Sequence, residues 1–234
     1  MLTQNNSIHE WQRLEKIRLQ ISGFIDEGVS MLEAESSKTR IQGLTQLRTL
    51  ITKFTTEERL MFTVIHSQRS CDIQRIIYEL LKKCKSPKAD DLLELLTVLD
   101  LIQGLSLIHY ESKKMALRKH RLNILLTYLS SREEHIVVAT LETLQTVLVD
   151  SSENIQAFEQ NSGLDLVCNL LKKKRQSEAI TYKCIELLNV YLQDEKEYPD
   201  YSIRNKCVDS NNKKGKVEKL LGVSFVKQLL STFK

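Results

Sequence analysis

Apolar residues recur along most of this chain at alternating spacings of three and four, the signature of one buried face on a helix. Leu92, Leu96, Leu99, Leu101, Leu105 and Ile108 mark a long helix from about Asp90 to His109. Ile136, Thr140, Leu141, Leu144, Val147 and Leu148 mark a second from about Glu133 to Val149. Ile180, Cys184, Ile185, Leu188, Tyr191 and Leu192 mark a third from about Ser177 to Gln193. Upstream, the pattern predicts helices over Ile8 to Leu32, Lys38 to Phe54, Thr56 to His66 and Asp72 to Cys84. Gly23 and Gly28 are candidate breaks in the first of these. The run Thr55-Thr56-Glu57-Glu58 puts hydroxyls and acids at a helix start, where both stabilise; Thr56 with Arg59 makes no capping box. Ser86-Pro87 ends the fourth helix.

The long helices repeat. Ile136 and Ile180, Leu141 and Ile185, Leu144 and Leu188, and Leu148 and Leu192 all stand 44 residues apart. The first long helix aligns with the second at an offset of 40, through Leu96 and Ile136, Leu101 and Leu141, and Ile108 and Leu148. Ser112-Lys-Lys-Met115 and Ser152-Glu-Asn-Ile155 follow at the same offset. Shorter helices come next, over Leu122 to Leu129 and Leu164 to Leu171, the latter after Ser162-Gly163. A period of about 40–47 residues with two or three helices each is the armadillo or HEAT pattern. The expected fold is all-α: an armadillo/HEAT-like helical repeat solenoid, a right-handed superhelix in a single domain. Its expected divisions are an N-terminal helical segment (1–35), repeats (36–193), a polar flexible loop (194–215) and C-terminal capping helices (216–234).

Composition agrees. Only 7 glycines and 2 prolines occur in 234 residues, too few for the turns of a strand-rich fold. The charge of +4 and pI of 8.7 fall short of a nucleic-acid binder's usual concentrated basic patch. The run Lys172-Lys-Lys-Arg175 reads first as cations at a helix C-terminus, and as a targeting or nucleic-acid patch second. Lys113-Lys114, Arg118-Lys119 and Arg121 read the same way in the preceding repeat. No leader is expected, because Met1 to Ser7 is polar, and no membrane-spanning stretch, because Glu94 and Asp100 interrupt the most apolar run.

Chemistry is sparse. The five cysteines lack metal or redox spacing, and Cys84, Cys168 and Cys184 read as core residues. No phosphate-binding glycine loop and no His-Glu-x-x-His occurs. His9, His66, His109, His120 and His135 show no metal-ligand spacing. No catalytic residue, metal or cofactor is therefore expected. Armadillo proteins that grip extended basic peptides carry Trp and Asn on each third helix. The aligned positions are Ile102 and Ser106, Glu142 and Thr146, and Glu186 and Val190. None is Trp or Asn, so the chain does not look like a nuclear-import receptor. These six residues are expected to line the concave face, either as a binding surface or simply solvated.

The blocks Asp91 to His109 (DLLELLTVLDLIQGLSLIH) and Thr143 to Glu159 (TLQTVLVDSSENIQAFE), with Arg40-Ile-Gln-Gly-Leu44 and Leu220-Leu-Gly222, resemble fungal septation initiation network components. That family is called cell division control protein 14. The resemblance spans about Ser36 to the C-terminus and rests on packing motifs. It implies a non-catalytic partner of a germinal-centre-type protein kinase in the cascade that triggers septum formation and cytokinesis. It also implies a cytoplasmic protein recruited to the spindle pole body, and it shares only a name with a dual-specificity phosphatase. The alternative is an armadillo-type adaptor in transport or ubiquitin ligase assembly. Homo- and hetero-oligomers are both open.

Overall fold

The computed structural model describes residues 2–69, 72–84, 89–116, 118–193 and 210–232. All the elements they form are helices. The helices gather into two compact units, Met1–Ser112 and Lys113–Lys234.

The first unit holds α1 (Leu2–Leu32), α2 (Ser37–Lys53), α3 (Thr56–Gln68), α4 (Asp72–Lys83) and α5 (Ala89–Ile108). Helix α2 packs between α1 and α5. Ser36 caps α2 by accepting the Thr39 amide. Thr55, one residue earlier than the tested pair, caps α3, and Glu58 accepts the Thr55 amide in return. The box was present in the sequence as Thr55-x-x-Glu58.

Helix α1 runs unbroken through both candidate glycines. The two do different work. Gly23 is exposed, with no atom within 4 Å of an added Cβ. Gly28 is buried, and a Cβ there would stand 2.5–2.9 Å from three side-chain atoms of Leu47 on α2. Gly43 is its counterpart on α2, where a Cβ would meet Met31 Cβ at 2.6 Å. These glycines let two backbones approach. Gly23→Ala is expected to stabilise the chain by about 0.5–1 kcal/mol through helix propensity. Gly28→Ala is expected to destabilise it by about 1–3 kcal/mol through overpacking. Equilibrium unfolding in urea checks both signs.

Helix α6 (Tyr110–Ala116) straddles the division. The second unit continues with α7 (Lys119–Tyr128), α8 (Glu134–Leu148), α9 (Ser152–Gln160), α10 (Gly163–Lys172), α11 (Glu178–Leu192), α12 (Ser210–Leu221) and α13 (Val223–Thr232). Helices α6–α7–α8 and α9–α10–α11 follow the short–medium–long order of armadillo triplets. At the α9–α10 turn, Ser162, rather than the glycine, takes the left-handed conformation (φ 57°). Gly163 is needed for space: a Cβ would lie 2.3 Å from the buried Phe158 ring.

The C-terminal helices pack on α10 and α11. Tyr191 of α11 donates its hydroxyl to Glu159 of α9, and Lys216 of α12 reaches the other Glu159 oxygen at 2.7 Å. Of the segment expected as a flexible loop, 194–209 lies outside the described residues, and 210–215 opens α12.

Candidate functional site

Third helices carry the ligand-facing residues in armadillo folds, so their register decides which side chains are candidates. Burial fixes that register. The buried residues of α5 are Glu94, Leu95, Val98, Leu99, Leu101, Ile102, Leu105 and Ser106. Those of α8 are Ile136, Val137, Thr140, Leu141, Thr143, Leu144, Val147 and Leu148. The two sets coincide position for position at an offset of 42. Helices α6 and α9 agree, with Ser112, Lys113 and Ala116 matching the buried Asn154, Ile155 and Phe158. The offset of 40 expected from the sequence is therefore two residues out.

The slip matters for two candidates. Ile102 is fully buried, and Ser106, 4% exposed, donates its hydroxyl to the Ile102 carbonyl. Neither lines an open face. Leucines lie on every side of helix α5, so they matched at the wrong offset as readily as at the right one. The corrected equivalents of Glu142 and Thr146 are Asp100 and Gly104, both partly exposed. Helix α2 joins the series at an offset of 55, through the buried pairs Gly43 and Val98, Leu44 and Leu99, and Leu47 and Ile102. Its equivalents are Thr45 and Thr49, both exposed.

The offset of 44 between α8 and α11 holds, with Ile136, Thr140, Leu144 and Val147 matching the buried Ile180, Cys184, Leu188 and Tyr191. The structure brings the remaining four candidates together. Glu142, Thr146, Glu186 and Val190 are all partly exposed, on adjacent helices. Lys183 Nζ lies 2.9 Å from Glu142 Oε1 and 3.0 Å from Glu186 Oε2. The two carboxylates beside it, Glu142 first, hold this ammonium above the ordinary lysine range. Two acids share one cation, which leaves local negative charge. In the first unit a different ion pair crosses the same face, joining Arg48 to Asp100, with Nε 2.7 Å from Oδ2. A shallow depression lined by Thr45, Arg48, Thr49, Leu96, Thr97 and Asp100 runs over it. Each unit thus presents an open third-helix face crossed by an ion pair.

A second polar cluster centres on two buried imidazoles. His66 of α3 and His109, at the α5–α6 corner, place their Nδ1 atoms 3.2 Å apart. His109 Nδ1 also receives the Ser112 amide at 3.2 Å and meets Ser112 Oγ at 2.7 Å. A backbone amide only donates, so His109 Nδ1 accepts. The proton of this neutral ring therefore sits on Nε2, which donates to Ser67 Oγ at 2.8 Å. Burial pushes the His66 imidazole down to about 3, aided by His109, and lowers His109 as well, against a small opposing effect of Glu111. Sequence spacing could not show this pair, which lies 43 residues apart. His66 is 0% and His109 1% exposed and Ser112 is buried, while Ser67 lies at the surface.

Among the described residues, no group of three or more His, Cys, Asp or Glu could hold a metal ion. Nor is any helix long and apolar enough to cross a membrane. Cys84, Cys168 and Cys184 are buried free thiols, and burial raises each of them to about 11 or 12. They fill the core and are poor nucleophiles.

Solved structures similar to this one include designed armadillo repeat proteins. One, designed for modular peptide recognition, superposes with a TM-score of 0.59 at 15% identity, over 94% of this chain and 83% of its own. Another, solved with the peptide (KR)4, gives 0.57 at 13% identity, over 95% and 91%. At such identities the likeness is one of fold, and the fold is an armadillo-like helical repeat. In sequence, Cell division control protein 14 of Schizosaccharomyces pombe (strain 972 / ATCC 24843) is 31% identical over 99 residues. That stretch is 42% of this chain and 41% of the relative, so the match spans less than half of that protein. The family described as Cell division control protein 14, SIN component, matches residues 31–228, from the end of α1 into α13. With nearly the whole repeat array inside that match, the chain belongs to the cell division control protein 14 family of SIN components, proteins of cell division.

Proposed function

We propose that this chain is a non-catalytic regulatory or scaffold subunit that binds a germinal-centre-type protein kinase in septation initiation, and acts in the cytoplasm and at the spindle pole body. The observation that carries this reading is the family match over residues 31–228. The open third-helix face of α8 and α11, with Glu142, Thr146, Glu186 and Val190, is the proposed kinase-facing surface. There two acids, a threonine and a valine are partly exposed on two adjacent helices.

A scaffold that binds a kinase's active and inactive forms equally shifts nothing. Activation needs a difference in affinity, and about 1–3 kcal/mol would change activity roughly 5–150-fold. The test is a pull-down with the full chain from a dividing fungal cell, followed by reconstitution with any kinase recovered. One germinal-centre-type kinase at near-equal amounts is expected. Glu142→Lys with Glu186→Lys is expected to weaken that kinase at least tenfold while leaving the helical circular dichroism intact. Other partners without a kinase would overturn the reading and leave an armadillo adaptor of another pathway. Undiminished binding by the double variant would move the kinase surface elsewhere.

A further inference from the structure

Helix α3 precedes α4 and α5 as α9 precedes α10 and α11, but the two helices show different faces to solvent. The exposed residues of α9 are Glu153 and Gln160. On α3, Leu60 is 65% and Val64 52% exposed, one helical turn apart in the middle of the helix. Leu107, 71% exposed, stands beside α3, because the carbonyl of its neighbour Ile108 lies 3.5 Å from the Thr63 hydroxyl. Single exposed apolar residues are ordinary, whereas several gathered in one place mark an interaction surface. Most charges of α3 are already engaged. Arg13 holds Glu57 at 2.7 Å, Glu58 accepts the Thr55 amide, and Arg69 holds Asp26 at 2.6 Å. Arg59 and Glu111 are exposed and form no ion pair among the described residues. Arg59 lies beside Leu60, toward the start of α3. Glu111 lies at its far end, two residues beyond His109, whose Nε2 donates to Ser67 at 2.8 Å. From Arg59 to Ser67 is about 12 Å along the helix axis. The apolar surface therefore carries a cation at one end and an anion at the other.

We infer that this face of α3 docks a second copy of this chain, with the two α3 helices antiparallel across a two-fold axis. A half-turn about an axis between Leu60 and Val64 sets Leu60 of one copy over Val64 of the other. The same half-turn brings Arg59 of one copy to the Glu111 end of the other. Each pairing occurs twice, as a two-fold interface requires. Apolar surface leaves water at the centre, and opposite charges meet at both ends. Parallel helices would instead set Arg59 against Arg59 and Glu111 against Glu111. An unrelated partner would have to supply an anion and a cation in the reverse order, which a second copy already has. One helix face is smaller than the roughly 800 Å² per partner of a standard interface, so dissociation is expected at about 10 µM. The inference does not rest on the kinase reading, which concerns α8 and α11.

Sedimentation velocity of the full chain from about 1 to about 100 µM brackets that value. The wild type should pass from monomer to dimer over this range. Leu60→Glu/Val64→Glu should stay monomeric throughout, with unchanged helical circular dichroism, because both side chains are exposed. Arg59→Glu alone and Glu111→Arg alone should each weaken the dimer at least tenfold, since each opposes like charges twice. An equal mixture of those two variants should dimerise as tightly as the wild type, because every end contact in the mixed dimer again joins opposite charges. The inference is overturned if the wild type stays monomeric, which would leave the face to a different partner. It is equally overturned if Leu60→Glu/Val64→Glu dimerises like the wild type, or if the mixture associates no more tightly than its two components.

Discussion

Mild acid is expected to destabilise this protein before its carboxylates titrate. Two imidazoles are responsible. His66 is held neutral down to about 3, against an ordinary value of 6.5. A histidine depressed by folding binds its proton in the unfolded chain first, so stability falls as pH drops below 6.5. Between pH 7 and pH 5 this linkage removes about 2 kcal/mol through His66 alone. His109 acts in the same direction, because an imidazolium there would turn an Nδ1 proton against the Ser112 amide. His66 stacks on Phe62 with ring centroids 5.1 Å apart, and its Nε2 has no partner. His66→Phe therefore keeps the stacking surface and removes both the titrating group and the orphaned nitrogen. Urea midpoints measured at half-unit steps from pH 7 to pH 5 should fall steeply for the wild type and much less for His66→Phe. A flat wild-type profile, or the same slope in both proteins, would sink the explanation.

The contrast between this cluster and the helices shows what the sequence could tell. Helices α8 and α11 begin and end within a residue of the expected positions, because their apolar residues follow one stripe and Ser177 caps α11. Helix α5 was equally plain as a helix, but its leucines lie on every side, so the repeat register slipped by two and Ile102 and Ser106 stood in for Asp100 and Gly104. The sign that would have corrected it is polar: His109 and Ser112 precede and open α6 as Ser151 and Asn154 precede and open α9, and all four are buried. In this chain the buried polar corners mark the repeat's register where interchangeable leucines do not. Asn154 shows why, since its amide donates to the Val147 and Lys113 carbonyls and ties the corner together. Gly163 was visible as a turn residue, but the reason for it lies in the Phe158 ring. Contacts between residues far apart in the chain leave no local periodicity, and the His66–His109 pair and the Arg40–Glu94 pair are both of that kind.

The Arg40–Glu94 pair should give the largest single-residue effect. Glu94 of α5 is 2% exposed, and its carboxylate takes Arg40 Nε at 2.6 Å, Arg40 Nη2 at 2.8 Å and the Ser37 hydroxyl at 2.6 Å. Arg40 also donates to the Ala34 and Glu35 carbonyls, so one guanidinium fixes the α1–α2 turn and α5 together. Burial alone would raise the Glu94 carboxyl, but the hydrogen bonds from Arg40 and Ser37, with the Arg40 charge, more than offset it and hold it below 4.5. Arg40→Met keeps an apolar stem and leaves the carboxylate buried beside one hydroxyl, which should cost about 3–5 kcal/mol at pH 7. Removing the charge as well, in Arg40→Met/Glu94→Gln, should recover a large part of that loss. The sign with pH distinguishes charge from packing. In the wild type, the Glu94 contribution is complete above 4.5 and is lost as pH falls through its lowered value. In Arg40→Met, burial raises the carboxyl, so the penalty is absent while it stays protonated and grows as pH rises through 4.5. The gap between the two proteins should therefore be widest near neutrality and close toward pH 4, by urea unfolding. A gap that stays constant with pH would assign the loss to the packing of the Arg40 stem instead, and a double variant no better than Arg40→Met would do the same.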